Sequence, residues 1–265
     1  MYGHFTLALK YLRYLFTAAN GKGHGVHSPF VFEFITRVLN DNRRFYAFDA
    51  IEKIRTQLLS NHALIEIQDF GAGSRVAKNN TRKISDVAKG SLKPAKYSQL
   101  LFRMIDYYGP TQIIELGTSL GITTAYLASA NPAAKVTTFE GSSAIAQIAG
   151  HNHGLLGLSN ISLIEGNFDE QLPLWLAQNK SVDFAFIDGN HAFKPTMAYF
   201  ESLLAVVQDH SILVFDDIHW SEEMEEAWAQ ISAHPRVTLS IDLFFIGVVF
   251  FRKEFAQKQE VSIQF

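Results

Sequence analysis

From about residue 94 onward the sequence alternates short apolar runs with longer amphipathic stretches, and this alternation restricts the fold more than any other feature. The apolar runs are candidate strands at 112–116, 135–139, 161–164, 182–187 and 211–215. Helical stretches begin near Gly121, Ser142, Phe168, His191 and Ser221. Strands that alternate with helices form parallel sheets with helices on both faces. The pattern predicts an α/β domain over residues 94–265.

The C-terminal part of this domain follows a different rule. Two strand-like runs, 236–241 and 244–251, are separated by only a few residues. A connection this short cannot contain a crossover helix, so the two runs form an antiparallel hairpin. We therefore expect seven strands, mostly parallel, with an antiparallel pair at the end.

Residues 1–93 form a predicted N-terminal extension that is mainly helical. Ser28 and Pro29 suit the start of a helix, and a further helix is expected over 47–59. From residue 75 to residue 96 there are seven basic side chains and a single acidic one, Asp86. Because this segment has little apolar periodicity, we expect a basic lid loop.

The first twenty residues are apolar and aromatic. Phe5, Leu9, Leu12 and Phe16 recur at helical spacing, whereas Lys10 and Arg13 interrupt the run. The interruption argues against a signal peptide and against a membrane span. The pattern predicts an amphipathic helix that docks on the domain through its apolar face, with attachment to a membrane surface as the alternative.

Composition excludes several classes of protein. The chain has no cysteine, which excludes disulfides and thiolate chemistry and favours a cytoplasmic location. Its net charge is −3, with 23 basic and 26 acidic side chains, which argues against nucleic acid as a partner. We expect a small-molecule partner, with a homodimer left open.

Polar residues follow the first three predicted strands of the domain. Gly117 to Gly121 form a turn into a helix, whose amides suit an anionic group. Glu140 follows the second strand, where a carboxylate accepts hydrogen bonds from ribose hydroxyls. Asn167 and Phe168 follow the third strand and suit recognition of adenine. These residues predict a nucleoside site.

Acidic residues follow the fourth and fifth strands. Asp188 comes after one strand, and Asp216 and Asp217 come after the next. Carboxylates that converge at neighbouring strand ends repel one another, and a divalent cation such as Mg²⁺ relieves the repulsion. The alternative is that Asp188 and Asp217 cap helices while Asp216 is solvated. His191, near a predicted helix start, is the candidate base.

The order of these features resembles class I S-adenosylmethionine-dependent methyltransferases, specifically metal-dependent O-methyltransferases of the catechol and macrolide-sugar type. The resemblance implies a Rossmann-like methyltransferase fold and S-adenosylmethionine as cofactor. It implies that Asp188 and His191 are catalytic and that Asp188, Asp216 and Asp217 bind a metal, with Mg²⁺ expected. The implied cofactor-binding residues are Glu115, Gly117, Thr118, Ser119, Gly121, Thr123, Glu140, Gly141, Asn167, Phe168 and Asp188.

Other functions fit parts of the same pattern. Catechol-type members have lysine at the position of His191, whereas this sequence resembles the sugar-type members there. The difference argues against a catechol acceptor. The basic segment favours an acidic or phosphorylated acceptor, but it also fits an RNA-directed enzyme or a solvated loop. A metal-independent methyltransferase remains open. Gly117-Thr118-Ser119-Leu120-Gly121 also matches the nucleophile turn of α/β-hydrolases, with Ser119 as nucleophile.

Overall fold

The computed structural model describes residues 1–67, 81–255 and 257–265. The helices are α1 His4–Thr17, α2 Pro29–Phe34, α3 Tyr46–Leu59, α4 Ile84–Ser91, α5 Ala95–Tyr108, α6 Ile122–Ala130, α7 Ser143–Leu155, α8 Phe168–Gln178, α9 Phe193–Leu204 and α10 Glu222–Ala233. The strands are β1 Leu64–Glu66, β2 Thr81–Lys83, β3 Gln112–Leu116, β4 Lys135–Glu140, β5 Ile161–Glu165, β6 Val182–Ile187, β7 Val207–Asp216, β8 Leu239–Asp242, β9 Ile246–Phe250 and β10 Gln259–Ser262. A π-helical turn, Ile35–Leu39, continues α2.

The described residues divide into two compact units, and the fold class expected from the sequence is confirmed. One unit comprises residues 42–175, and the other comprises residues 1–41 and 176–265. The expected N-terminal extension, residues 1–93, is thus shared between the two. Strands and helices alternate along the chain from β3 to α10, as the sequence predicts. In the described part of the chain, no helix is both long enough and apolar enough to cross a membrane.

In the unit of residues 42–175, β3, β4 and β5 pair in parallel. Their register aligns Leu116 with Phe139 and Glu140 with Glu165, so the carboxyl ends of the three strands lie at one edge. Helices α3, α4 and α6 share an apolar core that includes Ile51 and Tyr126. The core fixes the start of α6, which follows the turn after β3.

The sequence predicts a basic lid loop over residues 75–96. This prediction is wrong for the part of the segment that the structure describes. Residues 81–83 form β2, and residues 84–91 form α4. Ile84, Val87 and Ala88 are spaced three and four residues apart and are buried in the core of this unit. Their apolar face holds the segment as a helix, while its one basic side chain, Lys89, is exposed. Residues 68–80 lie outside the described residues.

The other unit contains the strands that end in acidic residues. β6 and β7 are parallel, whereas β9 pairs antiparallel with both β7 and β8. The predicted C-terminal hairpin is therefore confirmed. Gly247 in β9 faces Trp228 closely, because a Cβ atom there would lie 2.5 Å from the indole ring. β10 pairs in parallel with β8 and adds a strand that the sequence analysis did not foresee.

Helix α1 belongs to the unit of residues 1–41 and 176–265. The prediction that it docks on the domain through its apolar face is wrong. Phe5, Leu9, Leu12 and Phe16 are 77%, 52%, 50% and 87% exposed. The opposite face packs instead: Tyr14 is buried, and its hydroxyl donates a hydrogen bond to the carbonyl of Ile263. Aromatic packing is the reason, because Tyr11 and Tyr14 both contact the ring of Phe244.

A polar network also holds α1 in place. Lys10 Nζ and Tyr2 Oη donate to Glu225, at 2.9 Å and 2.8 Å from Oε2. His219 lies between Glu225 and Asp242, at 3.0 Å and 2.8 Å. Burial alone would lower the pKa of His219, but the hydrogen bonds and charges of Asp242 and Glu225 outweigh it, so the pKa is raised. We interpret His219 as an imidazolium between two carboxylates.

Candidate functional site

The strand ends of β3, β4 and β5 bring together most of the residues expected to bind the cofactor. Gly117, Ser119, Glu140 and Gly141 are partly exposed there, as are Asn167 and Phe168 just beyond β5. Thr118 and Thr123 are largely buried beside them. Because ligands bind at the carboxyl ends of parallel strands, this edge is the candidate nucleoside site of the unit.

Glu140 joins the two loops that border this edge. Its Oε2 accepts a hydrogen bond from the amide of Ser119, and its Oε1 accepts one from the amide of Ser142, both at 2.9 Å. An ionised carboxylate has about four acceptor positions, more than two amides occupy. Glu140 therefore combines a structural role with the capacity to bind a diol.

The turn after β3 is held from beneath by α7. His153 Nε2 lies 3.0 Å from the carbonyl oxygen of Gly121, and Asn152 Nδ2 donates to the carbonyl of Leu120 at 2.9 Å. Gly121 has φ +80°, and a Cβ atom there would lie 2.5 Å from His153 Nε2. Burial lowers the pKa of His153, so the ring is neutral and donates through Nε2. The turn is thereby fixed before any ligand binds.

Glu115 is fully buried beneath the same turn. Its Oε2 accepts hydrogen bonds from the hydroxyls of Thr124 and Thr138. The Thr118 hydroxyl lies 2.5 Å from that of Thr138, and since Thr138 donates to Glu115, Thr118 donates to Thr138. This chain of hydrogen bonds links Glu115 to the turn through Thr118, which indicates an indirect role for Glu115.

Asn167 caps α8 in addition to facing the candidate site. Its Oδ1 lies 3.0 Å from the amide of Asp169, and its carbonyl accepts from the amide of Gln171 at 2.9 Å. The side-chain amide group can still donate. The cap thus fixes where Asn167 and Phe168 lie at the end of β5.

In the other unit, β6 and β7 bring Asp188 and Asp216 together. The parallel register aligns Ile187 with Phe215, and the two acids are the next residues. One ligand atom from each of Asp188, His191 and Asp216 lies within 4.8 Å of the others. His191 Nε2 is 3.5 Å from Asp188 Oδ1. Asp216 is only 2% exposed. Two carboxylates and an imidazole suit a divalent cation.

Asp217 is placed differently from its neighbour. It has φ +53°, and its amide donates to the carbonyl of Phe245 at 2.7 Å. Its carbonyl accepts from the amide of Trp220 at 2.9 Å. Within the described residues, the compact group of possible ligands contains His191 and not Asp217. β7 ends at Asp216, and the positive φ of Asp217 changes the direction of the chain immediately after the strand.

Sequence reasoning missed the residues that support the turn. Thr124, Thr138, Asn152 and His153 contact it or its buried acid, but they lie within a helix or strand of ordinary composition. The available signal was the polar run of His151, Asn152 and His153 near the end of α7. Its carbonyl partner lies 32 residues away in sequence, a pairing that only the fold establishes.

Ser119 does not have the surroundings of a hydrolase nucleophile. Its φ of +48° is unusual for serine, as a nucleophile turn would require. Its hydroxyl, however, lies 2.7 Å from that of Ser91, where a hydrolase would place a histidine. The turn therefore serves another purpose.

Comparison with known proteins agrees with this geometry. Residues 114–218 match the model of a methyltransferase domain. At the level of sequence, no curated protein matches the chain.

Solved structures share the fold at low identity. An O-methyltransferase from Bacillus cereus in complex with S-adenosylhomocysteine is 20% identical with a TM-score of 0.54, over 83% of this chain and 96% of that one. A methyltransferase from Podospora anserina with bound S-adenosylhomocysteine is 13% identical with a TM-score of 0.58, over 85% and 97%.

A third similar structure is an O-methyltransferase of tomaymycin synthesis from Streptomyces achromogenes, in complex with S-adenosylmethionine. It is 18% identical with a TM-score of 0.53, over 61% of this chain and 82% of that one. Residues 114–218 are thus similar to a methyltransferase domain, and the chain shares the fold of these solved structures.

Proposed function

We propose that the chain transfers the methyl group of S-adenosylmethionine to a hydroxyl of a small molecule, with a divalent cation at the acids of β6 and β7. The observation that carries the proposal is the group formed by Asp188, His191 and Asp216. A nucleoside site alone would fit any methyltransferase, whereas converging acids beside a histidine fit the activation of a hydroxyl.

The residues at the ends of β3 to β5 fit the cofactor by their chemistry. Glu140 would accept hydrogen bonds from the ribose hydroxyls, and Asn167 and Phe168 would contact adenine. Gly117 to Thr123 would surround the methionine part, with the first amides of α6 directed at its carboxylate. Glu115 would act through Thr138 and Thr118, because its side chain is buried.

The two acids fit a divalent cation through their carboxylate oxygens, and His191 lies beside them. Asp188 and Asp216 would hold the ion. The ion would supply charge that lowers the pKa of a coordinated hydroxyl and orients it. His191, beside Asp188, would take the proton of the acceptor, and Asp188 would also orient the imidazole. In this proposal Asp217 does not bind the ion. Its backbone instead forms the turn after β7.

The acceptor is proposed to be a hydroxylated small molecule. Arg82, Lys83 and Lys89 are exposed on and beside α4, which supports an acidic or phosphorylated acceptor. An assay should therefore include such compounds together with sugars and phenols.

Calorimetry with S-adenosylhomocysteine tests the cofactor site, and a thermal-shift titration with Mn²⁺ or Mg²⁺ tests the cation site. We expect binding in both. A screen of hydroxylated acceptors then measures release of S-adenosylhomocysteine with and without a chelator. Turnover that resists the chelator would contradict the metal and favour a metal-independent enzyme with His191 as base. An absence of S-adenosylhomocysteine binding would contradict the whole proposal.

A further inference from the structure

Helix α1 presents a continuous apolar stripe, formed by Phe5, Leu9, Leu12 and Phe16. At about 100° per residue, these four positions lie within roughly 60° of one another. Each is at least half exposed, and Phe16 is 87% exposed. From Phe5 to Phe16 the stripe is about 17 Å long. Exposed apolar residues are common singly, but an aligned set of four large ones indicates an interaction surface.

The opposite side of α1 is anchored, so the stripe cannot turn inward without loss of contacts. Tyr14 donates to the carbonyl of Ile263, Lys10 bonds to Glu225, and Tyr11 packs edge-on against Phe244 at 4.9 Å between ring centres. These contacts hold the helix along its length. The stripe is therefore a fixed feature of the folded unit.

The segment that carries the stripe has charges of one sign, although α10 brings Glu225 against Lys10. Residues 1–32 contain Lys10, Arg13 and Lys22 and no aspartate or glutamate, although the whole chain has a net charge of −3. Lys10 is engaged with Glu225, while Arg13 and Lys22 are exposed. On the helix, Arg13 lies beside the stripe, about 60–80° from its centre. An apolar stripe beside an exposed arginine is complementary to a surface that combines apolar and anionic groups.

We propose that the stripe of α1 docks on the surface of an anionic lipid bilayer, with Phe5, Leu9, Leu12 and Phe16 inserted at the level of the acyl chains and Arg13 and Lys22 at the headgroups. A helix of this kind lies in the plane of the interface and does not cross the membrane. The inference goes beyond methyl transfer and does not depend on it.

The charges favour lipid over a second copy of the chain. Two copies of α1 that met through their stripes would bring the two Arg13 side chains close together and gain no opposite charge. Anionic headgroups supply the opposite charge together with an apolar layer.

Flotation with vesicles of phosphatidylcholine and phosphatidylglycerol tests the proposal on the full chain. We expect wild type to float with these vesicles and not with pure phosphatidylcholine. The double variant F5S/F16S should lose about tenfold or more of its partition coefficient, because two aromatic side chains no longer leave water. R13E should also weaken binding. The matched control is L155S/L174S, which changes two leucines that are 61% and 60% exposed elsewhere on the surface.

Far-ultraviolet circular dichroism and thermal melting establish that the variants are folded. If wild type does not float, or floats equally with neutral vesicles, the proposal is wrong. It is also wrong if the control variant loses binding as much as F5S/F16S does. Sedimentation velocity tests whether the stripe binds a second copy of the chain instead. A wild-type dimer that becomes a monomer in F5S/F16S would overturn the lipid assignment, whereas a wild-type monomer supports it.

Discussion

Glu140 is the residue on which the proposed cofactor site depends most. It holds the amides of Ser119 and Ser142, and it is also the residue proposed to bind the ribose. A substitution there acts both on binding and on the position of two loops. The experiment must therefore separate these two effects.

Glu140→Gln should weaken S-adenosylhomocysteine binding by about 1.5–3 kcal/mol, the scale of hydrogen bonds to a charged group. Calorimetry measures the loss, and thermal melting reports the loops separately. Glu165→Gln is the matched control, since Glu165 is exposed and pairs with Glu140 in the register of β4 and β5. Equal affinities for the two variants would contradict the ribose assignment.

Asp216→Asn tests the proposed cation site at a single residue. Removing one carboxylate from a like-charged group relieves repulsion, so the metal-free protein should stay as stable or gain slightly. Stabilisation by Mn²⁺, which depends on the ratio of ion concentration to its dissociation constant, should disappear. S-adenosylhomocysteine binding should be nearly unchanged.

Asp217→Asn is the informative companion to this variant. The structure groups Asp216 with Asp188 and His191, so Asp217→Asn should keep most of the Mn²⁺ shift. Loss of the shift in both variants would restore the ligand set expected from the sequence. Loss in neither would indicate that the acids bind no cation.

At the scale of elements, the attachment of α1 should depend on pH through His219. Its pKa is raised in the folded state, so its contribution to stability is complete below the ordinary value of about 6.5 and is lost as pH rises through the raised value. Burial opposes the shift of Glu225, but hydrogen bonds from Lys10, Tyr2 and His219 lower its pKa, so its contribution is lost only as pH falls through that lower value. The network is most stable at pH values between the lowered pKa of Glu225 and the raised pKa of His219.

Chemical denaturation at several pH values measures this effect. His219→Gln should lower the free energy of unfolding by about 1–3 kcal/mol near neutral pH and should remove the decline above it. His24→Gln, at an exposed histidine outside the network, should keep the wild-type dependence. A decline that persists in His219→Gln would assign it to another group.

The same elements show how far sequence reasoning reaches. The strands from β3 to β9 were predictable because each is an apolar run between turn residues, a local signal. α4 was missed because the basic residues of the surrounding segment obscured the spacing of Ile84, Val87 and Ala88. The face of α1 was mistaken because apolarity alone does not decide which side packs. Tyr11 and Tyr14 pack there because they meet Phe244, a contact distant in sequence.

At the candidate site, the positions at strand ends could be predicted, but their supports could not. Glu140 and Asp188 follow strands directly, so topology places them. The hydrogen bond of His153 to Gly121 and the replacement of Asp217 by His191 in the acid group depend on local backbone geometry. No pattern of residue types in the sequence specifies that geometry.

At the scale of the whole molecule, the unit that contains the acid group is built from both parts of the sequence. Tyr14 and Ile263 are 249 residues apart, and the backbone of Ala19 bonds to Ser262 and Gln264. A chain that lacks residues 258–265 should therefore release α1. Limited proteolysis should then cut within residues 1–27, while residues 81–175 stay protected. If α1 stays resistant to the protease, its contacts with Phe244 and Glu225 are sufficient to hold it in place.

This long connection also has a consequence for synthesis on the ribosome. At about 5–20 residues per second, the 249 residues that separate Tyr14 from its carbonyl partner take roughly 12–50 s to be made. Residues 42–175 can complete their core during that time, whereas the nascent α1 has both of its apolar sides in water. Helix α1 is thus made long before its partners and is packed only after they appear, so a chaperone would have a long opportunity to bind it.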